Sequence, residues 1–256
     1  MATFLMIHGA WHSGWCFDSV RPLLEAAGHK VIAPTLPGAG GSDEELAAVT
    51  LAKWSVYTAD LACAQAEPVI LCGHSRGGLI ISEAAERAPE AISALIYISG
   101  FLVPAGKSMN QMIASAGRPP EFERGLSLTA NGRAVSLSKE AASAAFYNAC
   151  SEQDREKALM RLVPEPLAPL ATPLDISEAN FGSVPRHYIE CALDRAVPLS
   201  LQRSMQAALP CVSTTTLESD HSPFLCCPQD LVTALDHIAQ SICSTGSDPP
   251  RGSTRG

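Results

Sequence analysis

The sequence predicts an α/β protein built on a mostly parallel sheet with helices on both faces. Three observations carry that expectation. Short apolar runs alternate with segments of helical spacing, and a parallel sheet needs that order because each crossover must travel back over the sheet. Glycine, proline and serine cluster between the segments, where turns belong. Finally, the 256 residues are 46% hydrophobic and only 17% charged, enough to build one large core.

The elements follow in order. Thr3–Ile7 reads as a short buried strand. Residues 13–27 carry apolar side chains at helical spacing and end at Gly28. Residues 30–33 form a second strand, closed by Pro34 and the turn-rich stretch 37–42. Residues 51–65 return to helical spacing, and 68–71 are a third strand. Gly77–Arg87 is helical, and Ile92–Ile98 is a strand rich in Ile and Tyr. Residues 187–193 and Ser213–Leu217 are two later strands, each followed by a helix, at Leu199–Ala208 and 229–242.

Residues 101–182 break the rhythm. Asn131-Gly132 between the alternating residues of 126–137 signals a hairpin. Ser138 is placed to cap a helix with Glu140 in its first turn. Prolines then recur through 163–173. Such an excursion between sheet strands is expected to cap one end of the sheet. The expected division is a core of residues 1–100 and 183–243, a cap of 101–182, and a disordered tail of 244–256 rich in Gly, Ser and Pro.

Composition excludes some functions. A net charge of −8 argues against nucleic-acid binding, which needs clustered cations. No run approaches the roughly 18 to 20 apolar residues of a membrane span, and the first residues lack the basic region and cleavage site of a signal peptide. Nine cysteines occur without a C-x-x-C pair. Several, including Cys63, Cys72 and Cys191, lie in apolar patterns, so free buried thiols in a reducing cytoplasm are expected, with adjacent Cys226 and Cys227 structural. No H-E-x-x-H or cysteine quartet is present, so neither metal nor organic cofactor is expected.

The chemistry centres on Gly73-His74-Ser75-Arg76-Gly77, a G-x-S-x-G pattern with a strand before it and a helix after it. A strand-to-helix turn that tight brings backbone against positions 73 and 77, where side chains would clash, and pushes the Ser75 hydroxyl out over the sheet edge. A serine hydroxyl needs a base, and the base needs an orienting group. Of seven histidines, His221 follows the last strand and precedes the last helix, so it can reach over the sheet end. His187 opens a strand, His237 lies in the final helix, and His74 is pinned beside the serine. Asp194, on the loop after the strand at 187–193, is the expected orienting carboxylate. Glu190 lies inside that strand, and Asp220 adjoins His221 too closely to reach its ring. Two backbone donors should face the developing oxyanion, Arg76 N–H and Ala10 N–H, the latter from the loop after the first strand.

These residues resemble the α/β-hydrolase fold superfamily, with serine, aspartate and histidine in that chain order. The similarity is greatest to its small branch of plant esterases, hydroxynitrile lyases and bacterial esterases such as pyrethroid hydrolases. It is carried by HGAWHSGWCF (residues 8–17), LLEAAGHKVIAPTLPG (23–38), VILCGHSRGG (69–78), YIECALDRAVPLSLQ (188–202) and SDHSPF (219–224). The resemblance implies a six-stranded sheet and an acyl-enzyme ester hydrolysis. It also implies what is absent: the lyases carry a lysine and a threonine where this chain has Ser222 and Gly9. A cofactor-free lyase or oxygenase on the same fold is the enzymatic alternative, and a small-molecule receptor with a vestigial triad is the non-enzymatic one.

The expected substrate is a small to medium hydrophobic or aromatic ester. Trp11, His12, Phe101, Phe122 and Phe146 are the expected substrate contacts, with Leu102, Val103, Met109, Met112, Ile113, Tyr147 and Leu162 as further candidate walls. The expected assembly is a monomer or homodimer that binds neither nucleic acid nor membrane. Arg76 remains conspicuous, because a cation near a helix amino terminus is mildly unfavourable. A buried carboxylate or carbonyl partner behind the nucleophile is therefore expected, and Arg76→Leu should cost stability more than it alters substrate preference.

Overall fold

Leu5, Leu71 and Leu95 stand side by side across three neighbouring parallel strands, and Met6, Cys72 and Ile96 form the next row. Side chains alternate along a strand, so the two rows face opposite sides of the sheet. Both sides are covered, and all six residues are fully buried. The computed structural model describes residues 1–117 and 119–245. Its strands are β1 (Thr3–Ile7), β2 (Lys30–Ile32), β3 (Val69–His74), β4 (Ile92–Ile98), β5 (Leu126–Thr129), β6 (Ala134–Leu137), β7 (Glu165–Pro166), β8 (Arg186–Cys191) and β9 (Ser213–Leu217).

The main sheet has six strands in the order β2-β1-β3-β4-β8-β9, all parallel. Helices α1 (Arg21–Ala26) and α12 (Pro228–Thr245), the latter preceded by the short α11 (Pro223–Cys226), pack on the face of Met6 and Ile96. The face of Leu5 and Leu95 takes α3 (Leu51–Cys63), α4 (Gly77–Arg87) and α10 (Leu199–Ala208). The chain leaves β1 for β2 on one side and returns as β3 on the other. The loops after β1 and β3 therefore diverge at the carboxyl ends of the strands and leave a crevice.

Residues 101–182 hold short helices, α5 (Met109–Ala116), α6 (Pro120–Arg124), α7 (Lys139–Phe146), α8 (Glu152–Leu159) and α9 (Ala168–Ala171), with an antiparallel sheet β5-β6-β7. Ser138 caps α7 by accepting from Ala141 N–H. The hairpin at Asn131-Gly132 is present. Thr129 pairs with Ala134, which leaves a four-residue connection in which Ala130, Asn131 and Gly132 all have positive φ.

Three local expectations change. The helix expected over 13–27 is a 3-10 turn at Gly14–Phe17 followed by α1. Pro22 would lose an interior hydrogen bond in a continuous helix, whereas the first turn of a new one tolerates it. Helix α2 (Asp43–Ala47), not expected from the sequence, starts directly after the turn-rich stretch because Ser42 and Glu45 form a reciprocal capping box. Cys63, expected buried, is exposed at the last turn of α3. Of the tail expected from residue 244, positions 246–256 lie outside the described residues. No helix among the described residues is long and apolar enough to cross a membrane.

Candidate active site

Strand β3 ends at His74 and helix α4 begins at Gly77, so Ser75 and Arg76 must reverse the chain within two residues. Ser75 takes φ of 51°, in the left-handed region that costs a serine about 1–3 kcal/mol. The glycines make the turn possible. A Cβ on Gly77 would lie 2.6 Å from the Ile7 carbonyl oxygen, and one on Gly73 would lie 2.8 Å from the Gly77 backbone. Ser75 N–H donates to Ile98 C=O at 3.2 Å, and Ser75 C=O accepts from Phe101 N–H at 2.9 Å, which fixes the elbow from the neighbouring strand.

His221 and Asp194 come from the loops after β9 and β8. His221 Nδ1 donates to Asp194 Oδ2 at 2.6 Å, and both side chains are buried. A carboxylate can only accept, so the proton sits on Nδ1 and Nε2 keeps a lone pair. Asp194 is held on every side. Its Oδ1 accepts from Ala196 and Val197 N–H at 2.7 and 2.8 Å, and its Oδ2 also accepts from Ser99 Oγ at 2.5 Å. His221 is fixed from behind, where His74 Nε2 donates to its carbonyl at 2.7 Å. Burial, together with His221 and His12 nearby, holds the His74 imidazole well below its ordinary pKa. His74 is therefore a neutral strut. The competing carboxylates are engaged elsewhere: Glu190 with Arg203, Gln206 and Thr216, and Asp220 with Ala149, Cys150 and Ser222 N–H.

Ala10 follows β1 on a loop that packs against the elbow. A Cβ on Gly9 would lie 2.7 Å from His74 Nδ1 and 2.9 Å from Ser75 Cβ, so the loop closes against the serine only because position 9 is glycine. Neither the Ala10 nor the Arg76 N–H donates to another described residue, which leaves both free for an oxyanion.

The Arg76 side chain runs away from solvent and is fully buried. Its Nε lies 2.8 Å from Glu165 Oε1, its Nη2 donates to Gly9 C=O at 2.9 Å, and its guanidinium carbon sits 4.3 Å over the Trp54 ring. The expected carboxylate and the expected carbonyl are thus both present. Burial lowers the Arg76 pKa and raises that of Glu165, while their mutual attraction opposes both shifts. A guanidinium does not give up its proton in a protein, so the pair stays ionic.

Ser75 and His221 line a narrow cavity of about 30 Å³ with Trp11, Phe101, Met109, Ile113, Pro119, Phe122, Phe146, Arg195, Ala196 and Val197. That is well short of the roughly 300–1,000 Å³ of a small-molecule site. A wider cavity of about 510 Å³ shares the Trp11 and Ile113 walls and adds Leu126, Leu128, Val135, Leu167 and Leu170. The substrate-sized space therefore adjoins the serine and does not surround it, because residues 101–182 close over the elbow.

Of the expected contacts, Trp11, Phe101, Phe122, Phe146, Met109 and Ile113 line the narrow cavity. His12 does not. Its Nδ1 donates to Ala10 C=O at 2.8 Å and its Nε2 accepts from Tyr147 Oη at 2.7 Å, so both ring nitrogens are spent within the protein. Leu102, Val103, Met112, Tyr147 and Leu162 are also absent from this wall. Leu102 and Val103 face the core below it.

Burial first, and then His221 and Arg76, bring His12 down from 6.5 to about 4, against the Ala10 hydrogen bond that raises it. A depressed histidine binds its proton more weakly when folded than when unfolded. Its contribution to stability is therefore intact above pH 6.5 and is lost as pH falls toward 4, with a limiting slope of about 1.4 kcal/mol per pH unit. Urea midpoints measured from pH 7 to pH 4.5 should fall accordingly, and His12→Gln should reduce that slope without abolishing it, because burial also depresses His74 and His8.

Ser99 and Glu165 escape sequence reasoning as site components. Ser99 carried one usable signal, a small hydroxyl residue directly after β4, and its φ of 40° aims it at Asp194. Glu165 carried none, since it sits in a proline-rich run 89 residues from Arg76.

A strained serine between close-packed glycines, with a carboxylate-oriented imidazole in the same cavity, is an arrangement that known proteins also use. Residues 4–234 match the alpha/beta hydrolase family. The chain is 31% identical over 243 residues to Methylesterase 1 of Arabidopsis thaliana, covering 89% of this chain and 92% of that protein. It is 30% identical over 274 residues to a pyrethroid hydrolase of Sphingobium wenxiniae, covering 98% and 95%. Among solved structures, a pyrethroid hydrolase from Sphingobium faniae superposes with a TM-score of 0.83 at 29% identity, covering 95% of this chain and 99% of that one. The fold, the elbow and these likenesses agree: the chain belongs to the alpha/beta hydrolase family.

Proposed function

We propose that the protein is a serine-dependent carboxylic ester hydrolase acting on small to medium hydrophobic or aromatic esters. The observation that carries this reading is the 2.6 Å bond from His221 Nδ1 to Asp194, which leaves Nε2 basic in the cavity it shares with Ser75. His221 Nε2 takes the Ser75 proton as Oγ attacks the ester carbonyl. The N–H groups of Ala10 and Arg76 hold the oxyanion. The C–O bond to the alcohol then breaks, and the alcohol leaves with the proton from His221. Water, deprotonated by the same nitrogen, attacks the acyl-enzyme, and the acid departs as Ser75 regains its proton. The relatives, a methylesterase and a pyrethroid hydrolase, support an ester as substrate.

The wide cavity supports the hydrophobic preference, since its walls are mostly aliphatic apart from Asn110 and Glu123. Its volume suits a substrate arm, whereas the space at the serine does not. Lyase chemistry finds no support at Gly9, where the neighbouring His74 and Ser75 exclude any side chain. We place the protein in the cytoplasm as a monomer or homodimer. The buried free thiols of Cys16, Cys72, Cys150 and Cys191 support a reducing compartment.

The test is hydrolysis of p-nitrophenyl butyrate and longer aryl esters, with stoichiometric inactivation by a fluorophosphonate. The expected result is turnover together with a mass adduct on the peptide that contains Ser75. An adduct on another residue, or turnover that survives full labelling, would overturn the assignment.

A further inference from the structure

The loop from Gly9 to Trp11 commits its backbone groups to buried partners. Gly9 C=O accepts from Arg76 Nη2 and from His8 Nδ1, each at 2.9 Å. Ala10 C=O accepts from His12 Nδ1 at 2.8 Å. Trp11 N–H donates to Glu165 Oε2 at 3.2 Å, and Trp11 C=O accepts from Val163 N–H at 3.0 Å. Against these, the Ala10 N–H has no acceptor among the described residues.

A trans peptide is planar and holds its C=O and N–H antiparallel. The Gly9 carbonyl and the Ala10 N–H belong to one such unit. Whatever grips that carbonyl therefore sets where the N–H points. Two donors on the oxygen, one of them cationic, also polarise the amide and strengthen its N–H as a donor. Glu165 completes the frame, because its carboxylate holds the guanidinium at one end of the loop and the Trp11 N–H at the other.

We propose that the Arg76 side chain is a positioning residue for the oxyanion hole: through Nη2 on the Gly9 carbonyl it orients and polarises the Ala10 N–H, and Glu165 holds the guanidinium in place. This rests on the esterase reading above. Arg76 then serves both donors, one through its own backbone and one through its side chain. A purely structural arginine would tie residues 101–182 to the elbow without favouring the transition state.

The experiment compares wild type, Arg76→Met, Arg76→Lys and Glu165→Gln on p-nitrophenyl butyrate, with near-ultraviolet circular dichroism to establish folding. A trifluoromethyl ketone serves as the oxyanion mimic. In Arg76→Met, kcat should fall roughly 10- to 100-fold, part of the ~10²–10³ that deleting a donor costs. KM should change little, inhibition by the trifluoromethyl ketone should weaken in step with kcat/KM, and Arg76→Lys should recover part of both. A folded Arg76→Met with wild-type kcat and undiminished inhibition would overturn the proposal. If Arg76→Met does not fold, Glu165→Gln decides: it keeps the arginine and an acceptor for Trp11, and a smaller parallel loss supports the proposal while an unchanged kcat and inhibition overturn it. Absence of wild-type turnover would overturn the esterase reading itself, a different outcome from an active wild type with indifferent variants.

Discussion

Asp194→Asn is expected to lower kcat by about 10⁴ while leaving the protein folded. The structure dictates how the asparagine must sit. Its Nδ2 cannot replace Oδ1, because two N–H donors, from Ala196 and Val197, already point there at 2.7 and 2.8 Å. Nδ2 must therefore replace Oδ2 and face both His221 Nδ1 and Ser99 Oγ, which lie 2.6 and 2.5 Å from that oxygen. One of its N–H bonds can go to Ser99 Oγ, which turns from donor to acceptor. The other goes to His221 Nδ1, which must then give up its proton. The imidazole is left with its proton on Nε2, where it cannot accept one from Ser75. The Ser99 hydroxyl hydrogen loses its acceptor in a buried position, a cost of about 1–3 kcal/mol, so the protein should stay folded with a modestly lowered melting temperature. A kcat on p-nitrophenyl butyrate within tenfold of wild type would mean that another group orients His221. Neither Glu190 nor Asp220 is available for that, since both carboxylates are already engaged.

Glu165→Ala is expected to destabilise the protein by about 3–5 kcal/mol, because it strands a fully buried guanidinium. For a chain of this size that corresponds to a fall of roughly 6–20 °C in melting temperature. The double variant Arg76→Met, Glu165→Leu removes both charges with similar volume and should recover much of the loss, since apolar replacements of buried ion pairs are often neutral. Recovery should stop short of wild type by about 1–3 kcal/mol, the cost of leaving the Trp11 N–H buried without an acceptor. Urea unfolding of Arg76→Met, Glu165→Leu and the double variant closes the cycle. A Glu165→Ala protein within about 1 kcal/mol of wild type would show that the pair contributes little.

Both predictions turn on residues that stood differently in the sequence. Ser75, Asp194 and His221 could be named in advance because chemistry restricts them to the ends of strands. The short elements around them, among them the glycine elbow and the final loop before α12, carry local turn and propensity signals. Even the glycines could be read, since a tight strand-to-helix turn tolerates no Cβ there. Arg76 was legible as a problem without a solution. Its charge and its position near a helix start required a partner, but that partner sits 89 residues away in a run whose prolines mark only irregular backbone. His12 shows the reverse case. An aromatic, polar side chain on the oxyanion loop suggests substrate contact, and only Tyr147, 135 residues later, reveals that its ring is already satisfied.

The sequence alone determined the parallel sheet, the strand-to-helix elbow at Ser75 and the identities expected of base and orienting acid. Each of these depends on periodicity, turn chemistry or strand ends, properties held within a few neighbouring residues. Only the tertiary structure decided that Ser99 shares the Asp194 oxygen, that Glu165 and Gly9 receive Arg76, and that the substrate-sized cavity lies beside the serine behind Trp11. These pairings are made across loops distant in sequence. Burial enforces them, because each buried polar group must find a partner, but it does not announce in the sequence which partner it will be.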